Sequence, residues 1–355
     1  MLISYRGSVP DLHMSTADPP PPSDRPVVPL VAVAGPPGSG GQMIAEALAA
    51  MGLHLVGGSV DADGSAGNVA ANSGASRLGR VGDELLGLLE GTWWAPPELS
   101  ADWVHRPEIV DAVARGMTSV EDLLHADPDA PGATRSGVWY DVRHALLLPV
   151  WRQHLPDVQA AVITWRRPGA TVARLGPDGI SPIHALALWE AQLVGALTGA
   201  TGLPVLGVDV DRVAADPKKW TASAASFLED LGLDLPIGAE ERATEVLEAS
   251  PGLTVTPDGR AMEVEETAMA SQLKGMLDEA EGAHRRWDPA SAYTLNPWTA
   301  ALLAAERSAR LSATQAANAW VAADDAHRAM RSALSTLEWT VDRLAREALS
   351  ELPPS

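Results

Sequence analysis

A chain of 355 residues has room for one large α/β domain with an appendage, or for two domains of ordinary size, and its 46% hydrophobic and 20% charged residues are those of a folding, globular chain. Acidic side chains outnumber basic ones 46 to 26, a formal net charge of −20, which repels a phosphate backbone and an anionic bilayer and so argues against nucleic-acid or membrane partners. The absence of cysteine excludes disulfides, thiol nucleophiles and cysteine-ligated metal sites, and makes a reducing, cytoplasmic setting the expected one.

In chain order, residues 1–27 close on a proline run and lack the apolar stretch of a signal peptide, which predicts a disordered leader. No run of apolar residues is long enough for a transmembrane helix. The β-branched stretch Val27–Ala34 predicts a strand buried on both faces. It runs into Gly-Pro-Pro-Gly-Ser-Gly-Gly-Gln at 35–42 and then Met43–Met51, whose apolar residues recur at helical spacing, so strand, glycine loop and helix follow one another. Between Gly57 and Gly82 the small and polar composition predicts a mobile loop or lid. Further strands are expected at Gly137–Asp141, Gln159–Trp165 and Pro204–Asp209, with helices around 144–154, 183–198 and 217–232.

Strands alternating with helices predict an α/β fold, a P-loop NTPase-like parallel sheet flanked by helices, occupying 28–260. Residues 261–355 are expected to form a helical extension. In it Ala313, Ala316, Trp320, Ala323, His327, Met330, Leu334, Leu337, Val341, Leu344 and Ala348 follow at alternating steps of three and four. That spacing predicts a long coiled-coil-like helix, either lying along its own domain or pairing through 313–348 with a second copy or another protein.

The glycine loop carries the strongest chemical signal, because a strand–loop–helix junction presents backbone N–H groups and a helix N-terminus to an anion. Phosphate or sulfate binding is one reading; a turn that merely closes the connection is the other. Gly35 to Gly40 has the spacing of a Walker loop, yet Gly41 and Gln42 stand where Lys and Ser or Thr would serve the γ-phosphate and Mg²⁺, which argues against ATP or GTP hydrolysis. Asp141 and Arg143 fall at an expected strand end, where open α/β sheets bind ligands, as ligand contacts or as a structural ion pair. Arg166 and Arg167 close another strand and suit a phosphate, or are surface arginines. The nine histidines show no metal-ligand spacing, so no metal is expected.

Residues 28–235, and more loosely to about 310, resemble the bacterial P-loop sulfotransferases that use 3′-phosphoadenosine 5′-phosphosulfate as donor. The resemblance rests on an ordered series: Val-Ala-Gly-Pro-Pro-Gly-Ser-Gly-Gly-Gln at 33–42, Asp-Glu-Leu-Leu at 83–86, Trp-Trp-Ala-Pro-Pro at 93–97 and Tyr-Asp-Val-Arg-His-Ala-Leu-Leu-Leu-Pro-Val-Trp-Arg at 140–152. Arg-Arg-Pro at 166–168, Gly-Ile-Ser-Pro-Ile-His-Ala-Leu-Ala-Leu-Trp-Glu at 179–190 and Val-Ala-Ala-Asp-Pro at 213–217 continue it. The resemblance implies that Gly38, Ser39, Gly40, Gly41 and Gln42 hold the 5′-phosphosulfate, that Arg166 with Arg174 holds the 3′-phosphate, and that Asp141 and Arg143 lie near the reacting centre.

The departures are as informative. The family loop reads near Arg-Ser-Gly-Thr-Ser, so Gly38, Gly41 and Gln42 replace an arginine and two hydroxyl residues, and Tyr140 replaces a lysine. No acidic base is recognisable between Asn68 and Arg80. Losing one donor to the developing charge commonly costs about 3 kcal/mol of transition-state stabilisation. Two functions follow as expectations. One is sulfuryl transfer to a hydroxyl or amine of a small-molecule or carbohydrate acceptor, by in-line displacement. The other is a catalytically silent member of the fold that binds a ligand or assembles through its C-terminal helix.

Overall fold

A computed structural model describes residues 29–56, 74–97, 102–124, 136–155, 157–250, 268–289 and 295–350. Its first strand, β1 (Leu30–Ala34), has no residue facing water. Leu30, Ala32 and Ala34 pack to one side, Val31 and Val33 to the other, so β1 needs helices on both faces. The chain supplies them in the order α1 (Gly41–Ala50), β2 (His54–Val56), α2 (Gly74–Leu88), α3 (Pro107–Leu124), β3 (Gly137–Tyr140), α4 (His144–His154), β4 (Val158–Trp165), α5 (Pro168–Leu175), α6 (Pro182–Gly199) and β5 (Val205–Asp209). Then come α7 (Val210–Ala215), α8 (Pro217–Asp230), α9 (Ala239–Ala249), α10 (Ala268–Ala280), β6 (Gly282–His284) and α11 (Pro297–Ser350).

The six strands lie in the order β2-β3-β1-β4-β5-β6, parallel except for β6 at the edge. One face is covered by α1, α8 and α9 through Ile44, Leu48, Phe227 and Leu247; the other by α2, α3, α4, α6 and α10 through Leu86, Ile109, Leu147, Leu193 and Leu273. The expected α/β architecture, a largely parallel sheet flanked by helices with a long C-terminal helix, is thus the one observed. Because α1 leaves β1 toward one face and α4 leaves β3 toward the other, a crevice opens at the carboxyl ends of these neighbouring strands, where open α/β sheets bind ligands.

Part of the stretch expected to be a loop or lid is helical: 74–82 form the first half of α2. The helix is held by Leu85 and Leu86, both buried, just beyond the polar run that hides its periodicity. The rest of that stretch, 57–73, and the expected leader 1–27 lie outside the described residues. Strand β6 is only Gly-Ala-His and carries no strand signal of its own; its pairing with Val205–Gly207 of β5 is a tertiary event.

Helix α11 is anchored at its start and released further on. Asn296 caps it, its side-chain oxygen accepting the Trp298 N–H at 2.9 Å, and Pro297 sits in the first turn, where a missing N–H costs nothing. Beneath this turn the buried carboxylate of Glu190 on α6 accepts the Asn296 N–H at 2.8 Å and the Thr299 hydroxyl, placing negative charge at the positive end of the helix. Leu303 then packs against Leu175, Ala185 and Leu188. Arg307 donates to the Pro96 carbonyl, and the Arg310 guanidinium lies 4.8 Å from the centre of the Trp94 ring. From 311 to 337 every residue is exposed.

Replacing Glu190 with Ala would remove the acceptor of the Asn296 N–H and the Thr299 hydroxyl, a loss of about 3 kcal/mol in denaturant titration. Glu190→Gln is expected to retain more of the contact, and amide exchange in 297–303 to accelerate in proportion to the stability lost.

Candidate functional site

The loops that follow β1, β3, β4 and β5 meet at the carboxyl edge of the sheet. The glycine loop after β1 is fixed from below. Ser39 is buried and its hydroxyl shares a 2.8 Å hydrogen bond with that of Thr164 on β4, while Thr171 on α5 donates to the Pro37 carbonyl at 3.0 Å. Gly38 and Gly40 take φ of 79° and 80°, the left-handed region that a side chain disfavours. Gly40 caps α1 with no side-chain hydrogen bond, and no acidic residue lies in the helix's first turn. The Gln42 amide turns away to Glu46 at 3.0 Å. What the loop offers is therefore backbone N–H groups on a helix N-terminus.

The substitutions that set this loop apart are coupled in space. Tyr140 ends β3 on the same face as α1, and a Cβ placed on Gly41 would meet its ring at 2.5 Å. The large residue after β3 fills the space that the small residue in the loop leaves. Similarly, a Cβ on Gly38 would lie 3.0 Å from that of Arg174, and with its positive φ this loop has settled around glycine. An arginine reintroduced at 38 meets both obstacles. Burial, reinforced by the Asp141 charge and opposed by that of Arg174, keeps the Tyr140 phenol protonated, its pKa pushed up to about 12.

The candidate arginines are committed to carboxylates. Arg143 grips Asp83 of α2 with Nε and Nη2, both at 2.7 Å, and Asp141 with Nη1 at 3.1 Å to each oxygen, while its backbone N–H donates to Asp141 at 2.8 Å. Its stem lies against α2 where Gly82 provides room. Burial works against the guanidinium charge, but Asp141 and Asp83 more than offset this and raise its pKa further. Arg143 thus clips α2 to the turn after β3, and the same contacts occupy both oxygens of Asp141. Arg166 and Arg167 approach opposite oxygens of Asp211 at 3.7 and 3.5 Å, and Arg174 approaches Asp178 at 3.7 Å.

The structure brings the sequence-derived loop residues, Asp141, Arg143, Arg166 and Arg174 to one edge, with Arg143 against Asp141 and Arg174 against Gly38. Reading the sequence had not identified Thr164, Thr171, Asp83 and Asp211 as their partners. A threonine interrupting the apolar strand Val158–Trp165 was a visible signal; the acidic partners, Asp83 60 positions from Arg143 and Asp211 45 from Arg166, were not. His144, read as a surface or packing residue, is buried, with Nδ1 3.1 Å from the Val33 carbonyl and its ring edge-on to Trp139. Burial lowers its pKa.

A cavity of about 1000 Å³ lies on the outer side of α4 and α6 beneath the start of α11, lined by Leu146, Pro149, Val194, Leu295 and Leu303 among others. It shares no lining residue with the glycine loop, and Trp93 and Trp94 do not line it. Among the described residues no group of three or more His, Asp or Glu side chains is placed to hold a metal ion, and no helix is long and apolar enough to cross a membrane.

Fold and loop together define a mainly parallel α/β protein with a glycine loop at the carboxyl end of its central strand. A solved structure similar to this chain is the sulfotransferase domain of the Synechococcus PCC 7002 olefin synthase, at 15% identity and a TM-score of 0.36, covering 80% of this chain and 96% of that domain. No family model and no curated protein matches the chain. Tested against 3′-phosphoadenosine 5′-phosphosulfate, the loop amides fit one anionic group, while Arg166 and Arg174, which the resemblance assigns to the donor, each lie 3.7 Å from a carboxylate.

The coupling of Gly41 to Tyr140 is measurable. Gly41→Ala is expected to destabilise by about 2 kcal/mol, and by much less when Tyr140 is already alanine, giving a coupling above about 1 kcal/mol in a double-mutant cycle. A phenol whose folded pKa is raised above its ordinary value of 10.0 contributes stability that is complete below pH 10 and is lost as pH rises toward about 12. Denaturant titrations across that window should show the fall, and Tyr140→Phe should flatten it.

Proposed function

We propose that this chain is a sulfotransferase-like protein without sulfuryl-transfer activity, in which the glycine loop is a weak subsite for a single phosphate or sulfate group. The observation that carries this reading is that each arginine the resemblance places at the site lies against a carboxylate: Arg143 is hydrogen-bonded to Asp83 and Asp141, and Arg166 and Arg174 lie 3.7 Å from Asp211 and Asp178. Transfer needs cations and donors aimed at charge that develops on oxygen. A guanidinium already neutralised by an acid meets a second anion only by giving up its partner, and leaves a partly buried carboxylate behind. Asp141 spends hydrogen bonds of both its oxygens on Arg143.

The backbone subsite is a different matter, since amide dipoles at a helix end need no side chain. It orients one anionic group and gives little affinity for the remainder of a nucleotide. Substrate transfer, acceptor and donor use all follow the arginines in this reading, and all are absent.

The test is calorimetric titration with 3′-phosphoadenosine 5′-phosphate beside ATP, together with an assay for labelled sulfate transferred from 3′-phosphoadenosine 5′-phosphosulfate to phenolic and sugar acceptors. Binding no tighter than about 1 mM, near −4 kcal/mol, equal for both nucleotides and without transfer, is expected. Micromolar binding selective for 3′-phosphoadenosine 5′-phosphate, or any transfer abolished by Arg166→Ala, would overturn the reading.

A further inference from the structure

The exposed part of α11, residues 311–337, runs for roughly 40 Å at 1.5 Å per residue. Its side chains do not suit water. Trp320 is 78% exposed, Met330 54%, Leu334 52% and Leu337 61%, and with Ala316, Ala323 and His327 they fall on one stripe at the spacing of a coiled-coil seam. A helix that presents such a stripe owes its stability to whatever buries it.

The geometry points to a second copy of this chain, lying antiparallel on that stripe and centred between Arg328 and Ala329. Size complementarity is the first reason. In this register Trp320 meets Leu337 of the other copy, Ala323 meets Leu334 and His327 meets Met330, so no alanine of the stripe faces another alanine. A parallel pair in register sets Ala323 on Ala323, leaving a gap, and His327 on His327.

Charge gives two further reasons. Asp324 and Arg331 occupy equivalent flanking positions one heptad apart, and the antiparallel register brings each within about 3 Å, along the axis, of the oppositely charged residue on the other copy. The full chain carries a formal charge of −20. A parallel pair would set two such bodies side by side where both helices leave their domains. An antiparallel pair holds them at opposite ends of the rod, roughly 50 Å apart, several times the screening length of about 8 Å at physiological ionic strength. The inference uses nothing at the glycine loop and stands whether or not that loop binds an anion.

The absence of native cysteine gives a direct test on the full chain. Light scattering at micromolar concentration is expected to give twice the chain mass, and Leu334→Glu with Leu337→Glu to halve it without changing the near-ultraviolet spectrum of the α/β domain. Ala323→Cys and Leu334→Cys proteins, oxidised separately, should cross-link poorly; mixed, they should form the heterodisulfide as the main product. A monomeric wild-type chain would overturn the proposal, as would efficient cross-linking of Ala323→Cys with itself, which reports a parallel pair. As a check independent of cysteine, Asp324→Arg and Arg331→Asp should each weaken the dimer and together restore it.

Discussion

Burial of β1 on both faces is the constraint from which the rest of this structure follows. With Leu30, Ala32 and Ala34 turned one way and Val31 and Val33 the other, the strand is stable only between two layers of helices, and successive crossovers must leave on opposite sides. That puts β3 and β4 on either side of β1 and opens the crevice at their carboxyl ends. The glycine loop faces the crevice because it is the shortest way from the end of β1 to the first turn of α1.

At that edge, electrostatics has been turned inward. The arginines there lie against carboxylates of the same chain. Arg143 is the most developed case, its two carboxylate partners tying α2 to the turn before α4. The buried Ser39–Thr164 pair and the Tyr140–Gly41 interlock do similar work for the loop. These contacts tie the loops at the edge of the sheet to one another.

Helix α11 shows the opposite balance. Its first turns are over-determined, by Glu190 beneath the N-terminus, by Leu303 in a small core and by Arg310 on Trp94. From 311 to 337 no described residue of the chain covers it. A helix docked firmly at one end and uncovered at the other transmits the position of its domain to whatever lies along the exposed stripe, and a self-pairing rod would set the distance between two domains by helix length alone.

The sequence by itself determined the α/β class, the strand–loop–helix junction, the strands at 137–141, 159–165 and 204–209 and the long C-terminal helix, because each depends on a local period or on glycine and proline at fixed positions. Only the tertiary structure decided which side chains meet. That Tyr140 fills the space over Gly41, that Asp83 reaches Arg143 across 60 positions, that Gly-Ala-His joins the sheet as an edge strand and that Glu190 sits under α11 all depend on segments meeting through space. Pairing of side chains distant in the chain leaves no periodic trace, and the charge of an arginine is legible in sequence while its partner is not.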